Sequence, residues 1–180
     1  MARGNPIVVD ACVLINLEGT GRLDAIVRAL GVDLLITEHA RAEVGSLRNE
    51  VDGLIEVLPI ELEEHIGSGT LTVSALWPEE LPMYVELALE VGDGEASSIA
   101  AAANRGLAIA TDDRKARRMS LERGLAEPIR TTGLLRGYCD VIHGDPALVR
   151  DLLLAVQKRA SFVPPRSDPD FEWWWSNFER

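Results

Sequence analysis

Cysteine and histidine are scarce in this chain, with 2 and 3 among 180 residues. Cys12 and Cys139 each stand alone, and His39, His65 and His143 are scattered, so no zinc spacing can be drawn from them. The two thiols read as reduced packing residues rather than a disulfide. No apolar run approaches the roughly 18 residues that a membrane-spanning helix requires. The opening Met1-Ala2-Arg3-Gly4-Asn5-Pro6 leads directly into a strand-like run, without the pattern of a secretory leader. A cytoplasmic chain with no membrane segment is the expectation. Basic charge is short as well: the net charge of −11 argues against a broad basic face for holding nucleic acid.

Several reaction signatures are missing too. No Walker-type phosphate loop occurs, and Gly92-x-Gly94 lacks the strand-turn setting of a dinucleotide fingerprint. The Gly-x-Ser-x-Gly of a nucleophile elbow is absent. Phosphotransfer on an aspartate after the first strand needs Asp-x-Asp, and position 12 is Cys. Receiver-like chemistry needs an extra acidic pair before the phosphorylated aspartate and a lysine late in the sheet, and neither is present.

What the chain does have is acid in four places. They are Val9-Asp10-Ala11-Cys12, Arg41-Ala42-Glu43-Val44, Gly92-Asp93-Gly94-Glu95-Ala96 and Thr111-Asp112-Asp113-Arg114. Each lies where a strand pattern runs into a helix or on a helix beside it. Carboxylates that converge repel: two unit charges about 4 Å apart near a protein surface cost on the order of 4 kcal/mol. A proton or a hard cation must neutralise such a cluster, and oxygen-only ligands suit Mg²⁺ or Mn²⁺.

The surrounding pattern is α/β. Ile7-Val8-Val9 suits a buried parallel strand ending at Asp10. Ala11 to Leu17 and Leu23 to Leu30 read as helices, and Leu34-Leu35-Ile36 as a second strand. Thr37 is a plausible N-cap for a helix carrying Glu38, Glu43 and Leu47. Leu58-Pro59-Ile60 and Leu71-Thr72-Val73 are candidate edge strands, with a helix over Glu80 to Glu90. An alanine-rich helix from Glu95 to Asn104 stops at Gly106. Leu107 to Thr111 is a strand, Lys115 to Arg123 a helix, and Pro128-Ile129-Arg130 a candidate last strand. Helices from Thr132 and from Asp145-Pro146 follow. Alternating strands and helices predict a three-layer α/β sandwich around a central, mostly parallel sheet, with sites at the carboxyl ends of strands. The division expected is a domain over 1–160 and an aromatic tail over 161–180, packing on the domain or at an interface.

Each acid also has a plain structural reading. Asp10, Asp93 and Asp112-Asp113 suit helix caps, Glu43 suits an exposed surface, and Glu95 suits the first turn of a helix. Likewise, Arg114, Lys115, Arg117 and Arg118 form either a solvated helix face or an edge that guides phosphates.

In joint order and spacing, Val-Val-Asp10-Ala-Cys-Val-Leu-Ile-Asn16, Glu43, Gly92-Asp-Gly-Glu95-Ala-Ser-Ser and Ala-Thr111-Asp112-Asp113-Arg resemble the PIN-domain family of metal-dependent nucleases. The likeness is greatest to its toxin members from toxin–antitoxin pairs, over roughly residues 5 to 140. The resemblance implies Asp10, Glu43, Glu95 and Asp113 as the catalytic, metal-holding set, with Mg²⁺ or Mn²⁺ as cofactor. Asp93 is the alternative to Glu95, and Asp112 shares or replaces the role of Asp113. Asn16 and Thr111 correspond to polar residues that orient carboxylates and water. Implied with them are an RNA substrate cut to 5′-phosphate and 3′-hydroxyl ends, a homodimer and an antitoxin partner. The competing expectation is a catalytically silent PIN-like RNA-binding or regulatory protein.

Overall fold

The computed structural model describes residues 5–178, so Met1 to Gly4 of the opening segment lie outside the described residues. In chain order the elements are β1 (Ile7–Val9), α1 (Ala11–Gly19), α2 (Leu23–Leu30), β2 (Leu34–Thr37), α3 (Glu38–Ala42), β3 (Ser46–Val51), β4 (Leu54–Pro59), α4 (Glu63–Gly67) and β5 (Leu71–Ser74). A short 3-10 turn, Pro78–Glu80, leads into α5 (Leu81–Ala88). Then come α6 (Asp93–Arg105), β6 (Ala108–Ala110), α7 (Arg114–Glu122), α8 (Thr131–Val141), α9 (Pro146–Arg159) and α10 (Phe171–Ser176).

The central sheet runs β5-β2-β1-β6 with every pairing parallel. Side chains alternate across a strand, so each face needs its own cover. Ile7 and Val9 of β1 and Leu34 and Ile36 of β2 point to one core, shared with Leu14, Ile26, Leu135 and Leu153 from α1, α2, α8 and α9. Val8, Leu35 and Ile109 point to the other, closed by Leu87, Ile99, Ala100 and Met119 from α5, α6 and α7. The result is the expected three layers. Alanines along α6 leave no bulk between that helix and the strands: Ala96, Ala100, Ala101 and Ala102 are all fully buried. Gly106 ends the helix in the left-handed conformation, φ 64°, that a Cβ would disfavour.

Three expectations need correction. The helix capped by Thr37 stops at Ala42, so Glu43 is its C-terminal cap and Leu47 lies in β3. Beyond Glu43 the chain turns into an antiparallel hairpin, β3–β4, separate from the main sheet. Its tip is Asp52-Gly53, with φ of 51° and 79°, and Asp-Gly is the strongest short hairpin signal there is. Leu58 and Pro59 therefore end a hairpin strand instead of edging the main sheet, whereas β5 does edge it. Finally, Ile129 makes only a single parallel bridge with Ala110, not a strand.

After α9 the chain returns over the first core. Trp174 of α10 is completely buried there, edge-on to Phe162 with ring centroids 5.7 Å apart. Among the described residues, no helix is long and apolar enough to cross a membrane. Both cysteines are free.

Candidate functional site

Strands β1 and β6 lie side by side with Val9 opposite Ala110, so the residues that leave their carboxyl ends emerge together. Those residues are Asp10 and Thr111. Asp10 is 1% exposed and is the N-cap of α1, yet its side chain makes no capping bond. It instead accepts a 2.9 Å hydrogen bond from the Thr111 hydroxyl. Burial, reinforced by the nearby Glu95 carboxylate, pushes Asp10 up from 3.8 to about 6 against that hydrogen bond.

Two further acids come from the opposite side of this corner. Glu43, released at the end of α3, reaches the first turn of α6 and accepts a 2.7 Å hydrogen bond from the Gly94 N–H. Glu95 turns back to accept from the Gly92 N–H at 2.7 Å, the one half of a capping box that a glycine N-cap permits. Its carboxyl is raised by burial and by the charges of Asp113 and Glu43. Asp93 behaves differently. Gly92, not Asp93, is the N-cap, and Asp93 is exposed with the Tyr84 hydroxyl donating to it at 3.2 Å.

The last pair divides its work. Asp113 caps α7, accepting from the Ala116 N–H at 2.7 Å, while its own N–H donates to the Thr111 hydroxyl at 3.2 Å. Asp112 points the other way, to the first turn of α8. It accepts from the Thr131 N–H at 3.0 Å, from the Thr131 hydroxyl at 2.6 Å and from the Asn16 amide at 3.1 Å. Burial raises its carboxyl despite these donors.

Cys12, exposed at the start of α1, registers how far the acids converge. Desolvation comes first, then Asp10, Glu95, Asp112 and Glu43 in turn, and together they push its thiol up to about 12. Each carboxylate is turned to a donor inside the protein, mostly the free N–H groups and positive ends of helices. As they are turned, among the described residues no three His, Cys, Asp or Glu side chains stand close enough together to hold a metal ion. By chemistry the set of Asp10, Glu43, Glu95, Asp112 and Asp113 fits a hard divalent cation: every donor is a carboxylate oxygen, and the most buried of them is costly to ionise alone.

Asp113 also borders an open groove of about 640 Å³, lined otherwise by Arg114, Lys115, Arg117, Arg118 and Leu121. Lys115 is bound to the Glu90 carbonyl, and Arg118 pairs with Glu122 at 3.5 Å within the helix. Positive charge thus adjoins the acidic corner on one side.

Sequence reasoning missed Thr131, Gly92 and Gly94. Thr131 reads as the approach to a helix, and nothing local marks it as the anchor of a residue 19 positions earlier. The glycines did carry a signal. A Cβ on Gly94 would lie 2.6 Å from Glu43 Cδ, and one on Gly92 would lie 2.8 Å from Glu95 Oε2.

A family model described as a PIN domain matches residues 6–138. No curated protein and no solved structure matches the chain. The matched span contains every acid of the corner and ends within α8.

Proposed function

Because this chain belongs to the PIN-domain family, whose members are generally nucleases, we propose that it is a Mg²⁺- or Mn²⁺-dependent endoribonuclease and the toxin of a toxin–antitoxin pair. The observation that carries this reading is the place of Asp10, 1% exposed where β1 ends beside β6, hydrogen-bonded to Thr111 and within electrostatic reach of Glu95. A fold has little reason to bury acid near acid with no positive partner unless a cation joins it.

In this reading Asp10, Glu43, Glu95 and Asp113 hold the cation, with Asp112 supporting or sharing the role of Asp113. When bound, the metal supplies charge neutralisation at the phosphate and lowers the pKa of coordinated water. Thr111 holds one Asp10 oxygen by its 2.9 Å hydrogen bond and so orients the carboxylate that would meet the cation. Asn16 steadies Asp112 by donating to it at 3.1 Å. The groove under Arg114, Lys115, Arg117 and Arg118 gives the RNA backbone a place next to an otherwise repulsive protein. Partners in this reading are an antitoxin protein and a second copy of the chain.

The alternative, a catalytically silent RNA-binding or regulatory protein, draws on the fact that each acid already has a protein donor. Asp10→Asn separates the two. Purified wild type should bind Mn²⁺ and cut single-stranded RNA, whereas Asp10→Asn should be folded and inactive. RNA cut equally well by the variant, or not cut by wild type with Mn²⁺, defeats the nuclease reading.

A further inference from the structure

The family match ends at residue 138, yet a later segment of the chain returns to the acidic corner from behind. Asp168, between α9 and α10, is 6% exposed. Its Oδ1 accepts from the Thr132 hydroxyl at 2.8 Å and from the Asp170 N–H at 2.9 Å. Its Oδ2 lies 3.3 Å from a guanidinium nitrogen of Arg130. From the other flank, Asp112 takes both the N–H and the hydroxyl of Thr131. Arg130, Thr131 and Thr132, the start of α8, are therefore clasped between two carboxylates.

A tail that served only to cover apolar surface would need no buried acid. Trp174 and Phe162 already fill the core there, and burying a carboxylate is costly unless its partners are well placed. Here they are well placed, and all but one of the partners belong to the turn that grips Asp112. We infer that Asp168 is a positioning residue: it fixes the Arg130–Thr132 turn so that Thr131 holds Asp112 in one orientation at the acidic corner. The tail beyond the matched family region thereby becomes part of the site's scaffold. The inference rests on the nuclease reading only for its consequence, since the chain of hydrogen bonds from Asp168 to Asp112 exists whatever the site does.

The test uses full-length wild type, Asp168→Ala, Thr132→Val, Asp168→Asn and Arg136→Ala. Thr132→Val removes only the hydroxyl that Asp168 accepts, and Asp168→Asn keeps an acceptor for it. Arg136→Ala loosens the tail elsewhere by removing the 2.6 Å pair with Asp170. Amide hydrogen exchange at Thr131 is read by NMR in EDTA, and Mn²⁺ affinity by electron paramagnetic resonance without RNA. Asp168→Ala and Thr132→Val should speed Thr131 exchange while Val8 in the central strand is unchanged. Mn²⁺ affinity in Asp168→Ala should fall on the order of 10-fold, as for losses just outside a metal's ligands. Asp168→Asn should recover most of both, and Arg136→Ala should match wild type. Unchanged Thr131 exchange in whichever of Asp168→Ala and Thr132→Val folds overturns the inference. So does Arg136→Ala reproducing the loss, because general docking of the tail would then account for it. A wild type that binds no Mn²⁺ counts against the nuclease reading, and the exchange comparison still decides this one.

Discussion

Glu43 and Gly94 meet more closely than any side chain larger than hydrogen would allow: the carboxylate accepts the Gly94 N–H at 2.7 Å, and a Cβ there would lie 2.6 Å from Glu43 Cδ. This approach ties the end of α3 to the start of α6. Gly94→Ala should push the exposed Glu43 carboxylate aside, and because that flexible end can swing into solvent the stability should stay within about 0.5 kcal/mol of wild type. Metal affinity should fall, since Glu43 no longer holds its place. Mn²⁺ titration of the purified variant, with thermal denaturation to confirm that it folds, would check this; a wild-type Mn²⁺ affinity would mean that Glu43 is not needed where it sits.

Asp10 predicts an unusual pH dependence. Its folded-state pKa, about 6, lies above the ordinary 3.8, so the folded protein holds this proton more tightly than the unfolded chain. The stabilisation is fully present below the ordinary value and is lost as pH rises through about 6. A difference of that size corresponds to about 3 kcal/mol. In EDTA, Asp10→Asn should therefore gain on wild type in Tm as the pH is raised from about 4.5 to about 7.5. A constant difference between the two curves would refute the raised pKa. Saturating Mn²⁺ should restore the wild type at the upper end.

Glu95 and Asp93 part company in space, and their variants should do the same. Glu95→Gln should abolish cleavage and weaken Mn²⁺ binding, since its carboxylate feels Asp113 and Glu43. Asp93→Asn should leave both within about twofold, because its carboxylate is exposed on Tyr84 and surface changes are usually near neutral. The opposite ranking in a cleavage assay would reassign the ligand.

Replacing Arg117 and Arg118 with Ala should weaken RNA binding and flatten its salt dependence by about 0.7 in log–log slope for each phosphate no longer neutralised. Mn²⁺ affinity should hardly change. Fluorescence anisotropy over a salt series reads this directly, and an unaltered slope would return the pair to a solvated helix face.

Trp174 should be a stability residue. Its side chain lies wholly within the core and is hidden from solvent, so Trp174→Ala should cost about 3–5 kcal/mol in chemical denaturation. Truncation after Ser161 should then leave a chain that does not fold. A compact, metal-binding truncated monomer would show instead that the tail is an accessory.

Much of this is legible in the chain itself because it depends on short-range chemistry. The β-branched run Ile7-Val8-Val9, the left-handed stop at Gly106 and the caps at Thr37, Asp113 and Asp145 each follow from local sterics and hydrogen bonding. Alternating elements make a parallel sheet the natural arrangement, which places Asp10 and Asp112-Asp113 at strand ends. Asp52-Gly53 is an equally local signal, and the strands of the hairpin it turns begin at Ser46, where the apolar spacing suggests a helix carrying Leu47. Other features cannot be read locally. Residue types alone leave Asp93 and Glu95 equivalent; what separates them is that Glu95 turns back to Gly92 while Asp93 meets Tyr84. Only the tertiary approach of α8 brings Thr131 to Asp112, and only the return of the tail brings Asp168 to Thr132. Local order determines which groups a segment can offer. Which of them meet depends on the burial of both sheet faces, a property of the whole chain that no short window contains.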